Sequence, residues 1–110
     1  MAKSKIKKSA AIFGALGDET RLGLVQKLVS GGELSITELT EGLSISRQAV
    51  TKHLHVLQDA GLVQQEKSGR EIHFSLHTKP LQEAMYLLAS VEKKWEQRLM
   101  RLKMLAENLD

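Results

Sequence analysis

The chain contains no cysteine. Disulfides, thiolate metal sites and cysteine-based redox sensing are therefore excluded. No stretch approaches the ~18 consecutive apolar residues of a membrane span, so none is expected. A glycine-rich phosphate loop is also missing, and no serine or histidine is arranged as a nucleophile with its base. The carboxylates read as exposed helix residues. An enzyme is not expected. Net charge is scarce outside one segment. The formal charge is +3, and Lys3, Lys5, Lys7 and Lys8 supply four of the positive charges, leaving about −1 elsewhere. Any positive field must then be local. The lysine run, residues 1–8, reads first as a frayed, solvated tail and second as a source of sequence-independent phosphate attraction. The basic start MAKSKIKKSAAIF leads into no long apolar core, so no secretory signal is read and a cytoplasmic protein fits best.

What is present is an ordinary globular composition. Its 110 residues, 42% hydrophobic and 26% charged, suit one domain with an adequate core. A short helix is expected over Ser9–Leu16. Asp18 offers an N-cap for a second helix with Leu22, Val25 and Leu28 inside, ended by Ser30-Gly31-Gly32. A short extended piece follows at Glu33–Ile36. Thr37 is expected to cap a brief helix from Glu38 to about Gly42, and Leu43–Ile45 makes a tight connection. Leu62–Lys67 and Glu71–Leu76 read as strands around the turn Ser68-Gly69-Arg70. In the second strand Ile72, Phe74 and Leu76 should be buried, opposite a wet face of His73, Ser75 and His77. The only proline, Pro80, opens a long last helix.

The most informative segment is SISRQAVTKHLHVLQDAGLV, from Ser44 to Val63. Ser46 caps a helix running to Ala60, and Gly61 stops it. Val50, His53, Leu54 and Leu57 recur on one face. That spacing turns Arg47, Gln48, Thr51, Lys52 and His55 outward. Gln48 suits a bidentate contact to adenine and Arg47 one to guanine, while Thr51 offers a hydroxyl or a methyl. Lys52 and His55 suit phosphates. Ser46 places free N–H groups near a phosphate. Arg70 at the hairpin tip, with Lys67 beside it, suits minor-groove or backbone contact. The alternative is that these are ordinary solvated side chains on an exposed face. The choice stands open for Lys67, and the context favours DNA for Gln48, Thr51 and Arg70. His53 reads as a core-edge histidine bonded to nearby backbone, not as a base reader.

The order helix, helix, short helix, turn, capped helix, hairpin is that of a winged helix-turn-helix. The expected fold is mainly α with a small β-hairpin (α+β). Residues 35–60 form the helix-turn-helix, 62–76 the wing and 78–109 a dimerisation helix. The runs LGDETRLGLVQKL, ITELTEGLSISRQAVTKHLHVLQDAGLV and GREIHFSL resemble the ArsR/SmtB family of bacterial winged-helix regulators, over roughly residues 10 to 77. TKHLHVLQDAGLV is the most specific part. The resemblance implies a homodimeric repressor that binds operator DNA near its own promoter and is released by a signal. A winged helix used only for protein association is the alternative. The polar outer face with Arg47 and Lys52 argues against it.

On the last helix Leu81, Ala84, Leu88, Val91, Trp95, Leu102, Leu105 and Leu109 recur at spacings of three and four, interrupted by Arg98 and widened by Met85 and Leu99. So small a domain offers little surface to cover them, so a second copy of the same helix is the expected partner. Phe13, Leu81, Leu88, Val91, Trp95 and Leu102 are the candidate dimerisation residues. The family's metal ligands are not matched. ELSITELTEG holds no cysteine or histidine, and the last helix has no histidine. His53 and His55 are i, i+2 on a helix and diverge. His73 and His77 lie roughly 13 Å apart on a strand. Neither pair chelates one ion within a chain, although a site bridging two chains stays open. No cofactor is expected. An apolar inducer beside the last helix, near Tyr86, Met100 and Met104, remains open. Packing of these three against the first helix or a partner chain is the plainer use. Control without a direct inducer is equally open.

Overall fold

A computed structural model describes residues 2–109, with side chains from Ser4 onward. Met1, Asp110 and the side chains of Ala2 and Lys3 lie outside the described residues. The elements run α1 (Ala2–Leu16), α2 (Glu19–Gly31), β1 (Leu34–Ser35), α3 (Ile36–Thr40), α4 (Arg47–Asp59), β2 (Val63–Ser68), β3 (Glu71–Leu76) and α5 (Lys79–Glu107). This is the winged helix expected, mainly α with a small antiparallel sheet.

The first helix is longer than its apolar pattern. It starts at Ala2, so the lysine run is helical rather than a frayed tail. Ser9, Ile12 and Ala15 are buried and anchor its later turns. Lysine loses little rotamer freedom in a helix, so the packed turns propagate backward. Lys5, Ile6, Lys7 and Lys8 stay exposed.

Asp18 caps α2 by accepting from the Arg21 N–H at 3.0 Å. That bond, aided by the Arg21 charge, holds the Asp18 carboxyl below its ordinary pKa. The inner residues of α2 are Leu24 and Leu28, each 1% exposed, whereas Leu22 is 47% exposed. Leu22 sits two residues, about 200° of helix, from Leu24 and so faces outward, a correction to the expected inner face, while Leu28 is buried as expected and Val25 is half-buried against the core.

The third helix also starts earlier than expected. Its cap is Ser35, not Thr37. Ser35 Oγ accepts from the Glu38 N–H at 3.2 Å, and Glu38 Oε1 accepts from the Ser35 N–H at 3.0 Å. This is a capping box over Ser35-Ile36-Thr37-Glu38. The Ser35 backbone N–H first, and the Ser35 hydroxyl beside the carboxyl second, hold the Glu38 carboxyl below its ordinary pKa.

The wing is a sheet of three strands in the order β1-β3-β2. Leu34 pairs with Phe74 and Ser35 with His73, both antiparallel. The expected hairpin thus gains a third strand, which ties the start of α3 to the wing. Only the base of the wing packs. Val63 and Phe74 are buried and Leu76 is half-buried. Ile72, expected inside, is 47% exposed, because β3 has passed beyond the helices there.

The core gathers Ile12, Leu24, Leu28, Leu39, Val50, Leu54 and Leu57 with Phe74 and Ala84. α5 contributes little beyond Ala84, and every described residue from Val91 on is exposed. The radius of gyration is 19.3 Å, against about 13 Å for a compact chain of this length. The accessible surface is 8441 Å², against about 6,100 Å² for a compact monomer of this mass. Among the described residues no helix is long and apolar enough to cross a membrane.

Candidate nucleic-acid interface

The capped helix expected over Ser46–Ala60 forms as α4. Ser46 Oγ accepts from the Ala49 N–H at 3.1 Å, satisfying one of the orphan donors of the first turn. Gly61 ends the helix with φ +85°, a value that β-carbon sterics disfavour in other residues. The Leu62 N–H then closes back on the Leu57 carbonyl at 3.0 Å. Val50, Leu54 and Leu57 are each 0% exposed. Arg47, Gln48, Lys52 and His55 are exposed on the other side, and Thr51 is half-buried. Thr51 Oγ1 donates to the Arg47 carbonyl at 2.8 Å. Its hydroxyl proton is thereby used, so outward it presents a methyl and oxygen lone pairs.

At the wing tip Ser68 pairs with Glu71, leaving a two-residue loop. Gly69 has φ +64° while Arg70 stays at negative φ, the pattern of a type II′ hairpin turn. Lys67 and Arg70 are both exposed.

Two cations of α2 have roles that helical spacing does not signal. Lys27 Nζ donates to the carbonyls of Leu39, at 3.1 Å, and Glu41. It holds the end of α3, where unpaired carbonyls favour a cation. Arg21 Nε donates to the Ala15 carbonyl at 2.7 Å. Its Nη1 lies 3.3 Å from His53 Nδ1. His53 is thus partnered by a guanidinium, with the Asp18 carboxylate 3.9 Å away, and not by backbone as expected. A helical pattern gives each residue's face but not a partner 32 positions away.

His73 does not lie on a purely wet face. Its Nε2 is 2.9 Å from Glu71 Oε2 and its Nδ1 is 3.9 Å from Glu33 Oε2. The hydrogen bond to Glu71, then the negative charges of Glu71, Glu33 and Glu38, raise its pKa. A raised folded-state pKa adds stability that is complete below the unfolded value, about 6.5, and fades as pH rises through the folded one. The gap in unfolding midpoint between the native protein and His73→Gln should therefore be largest at about pH 5 and vanish by about pH 9. A gap independent of pH would contradict the charge pairing. Among the described residues no group of three or more histidine, aspartate or glutamate side chains is placed to hold a metal ion.

Of the residues expected to pair two chains, Leu88, Val91, Trp95 and Leu102 are 46, 58, 58 and 53% exposed. Phe13 and Leu81 are half-buried and pack against the chain's own core. Ala84, on the same expected stripe, is fully buried within the chain. Tyr86, Met100 and Met104 are 79, 58 and 55% exposed.

Comparison with known proteins agrees with this geometry. Residues 16–66 match the family described as a helix-turn-helix domain. The uncharacterized HTH-type transcriptional regulator YuzN of Bacillus subtilis is 44% identical over 77 residues, 64% of this chain and 84% of YuzN. The arsenical resistance operon repressor of Escherichia coli is 38% identical over 65 residues, 59% of this chain and 56% of that protein. The solved structure of an ArsR-like transcriptional regulator from Rhodococcus sp. RHA1 superposes with a TM-score of 0.84 at 35% identity, covering 94% of this chain and 96% of that one. With its capped α4 helix, three-stranded wing and long final helix, the chain belongs to the ArsR/SmtB family of winged helix-turn-helix transcriptional regulators.

Proposed function

We propose that this regulator is a homodimeric repressor whose two α4 helices enter successive major grooves of a palindromic operator, with centres roughly 34 Å apart. The observation that carries this reading is the division of α4: Val50, Leu54 and Leu57 fully buried, and Arg47, Gln48, Lys52 and His55 exposed opposite them. Gln48 reads adenine, Arg47 reads guanine and the Thr51 methyl meets a thymine methyl. Lys52, His55 and the free N–H groups above Ser46 engage phosphates. The repressor role is supported by the name of the Escherichia coli relative. Its arsenical role is not carried over, since cysteine is absent here.

Dimerisation is supported by the projecting half of α5. The chain exposes about 2,300 Å² more than a compact monomer of its mass, comparable with what obligate homodimers bury. Two apolar flanks run along the rod, one through Val91 and Trp95 and one through Tyr86, Met100 and Met104.

Selection of bound fragments from randomised duplexes tests the reading. It should return an inverted repeat with half-sites about one helical turn apart. Fragments without a shared sequence would contradict base reading. Arg70→Ala is expected to weaken binding with little change in preference, and to lower the slope of log affinity against log salt by about one. An unchanged slope would remove the wing-tip phosphate contact.

A further inference from the structure

Three helices meet at one side chain outside the reading face. Arg21, on the first turn of α2, points its fork in two directions. Nε and Nη2 lie 2.7 and 3.5 Å from the carbonyls of Ala15 and Gly14, at the end of α1. Nη1 lies 3.3 Å from Nδ1 of His53, in the middle of α4. Its own backbone is fixed by Asp18 at 3.0 Å. α1 in turn packs on α5, where Ile12 and Ala84 share the core. Arg21 therefore joins the helix pair that carries the dimer rod to the helix that reads DNA.

The apolar contacts beneath α4 fix which face it buries, but apolar attraction is non-directional and sets the last few degrees of its rotation less sharply than a hydrogen bond does. A guanidinium fork is directional, permanently charged and donor-only. At about 6 Å from the axis, a rotation of about 10° moves a side-chain tip by about 1 Å, enough to spoil a bidentate base contact. Because Arg21 can only donate, a hydrogen bond between them requires His53 Nδ1 to accept, as it does in the tautomer that carries the proton on Nε2.

We propose that Arg21 is a positioning residue. Through His53 it sets the rotation of the reading helix against the α1–α5 unit, and so sets operator discrimination rather than overall DNA affinity. This rests on the DNA-reading function proposed above. Nothing in it requires Arg21 or His53 to touch DNA.

A double-mutant cycle on the intact protein tests the proposal, using Arg21→Lys, His53→Ala and the pair together. Operator and random-sequence duplexes are compared at one salt concentration, and dimer state and melting temperature are recorded. Each single change should lower operator affinity about tenfold and random-sequence affinity less than about twofold, with the dimer intact. The pair should lose no more than the worse single change. Additive losses, or equal losses on both duplexes, would overturn the proposal. If the native protein itself prefers no sequence, the DNA-reading function fails as well, which separates the two failures. The His53 ring supplies a DNA-independent readout. At about pH 8, where imidazole is ordinarily neutral, its ¹⁵N resonances should report the Nε2–H form in the native protein and a mixture of tautomers in Arg21→Met. The same tautomer ratio in both would overturn the contact.

Discussion

Replacing Val91 and Trp95 together by glutamate is expected to yield a folded monomer that binds the operator about 10²- to 10⁴-fold more weakly. Both side chains are 58% exposed in the single chain, so two carboxylates there disturb little of the monomer's own packing. In a paired rod the same positions would bury two unpaired charges per chain, and that desolvation costs far more than the apolar burial it replaces. The loss of DNA affinity follows from geometry. A dimer gains its second half-site at an effective concentration near millimolar, and a monomer loses that advantage entirely. Sedimentation gives the oligomeric state and circular dichroism the helix content. If the double variant still sediments as a dimer, the pairing surface lies elsewhere than the outer half of α5.

Gln48→Ala is expected to cost about 1–3 kcal/mol on the selected site and to relax preference at one base pair per half-site. Gln48 is exposed and contributes nothing to the core, so melting temperature should hardly move. Competition with single-base operator variants measures the effect. A loss of the same size on every sequence would make Gln48 a backbone contact and not a reader.

The helix α4 is legible in the sequence because each of its signals is local. Ser46, the apolar triplet Val50, Leu54 and Leu57, and Gly61 all lie within sixteen residues. Helix capping and periodicity operate over that range. The wing tip is legible for the same reason. The departures have physical causes of other kinds. Leu22 looks internal because α2 is apolar on more than one side, with Val25 and Val29 also on it, and only the neighbouring helices select the face that is covered. Thr37 looks like the cap of α3 because β1 and the capping box overlap, and Ser35 serves both. Ile72 alternates correctly but lies past the edge of the helices, which no strand pattern records. Arg21 and Lys27 give no local signal, because their partners are carbonyls and a histidine brought close only by folding.

The claim on which the rest depends is that two copies, joined along α5, set two α4 helices into the major groove one turn apart. Methylation interference on a selected operator tests it most directly, because modification at guanine N7 blocks the major groove and at adenine N3 the minor. Two clusters of interfering guanines on one face of the duplex, about ten base pairs apart, are expected. A single cluster, or interference confined to minor-groove adenines, would contradict it.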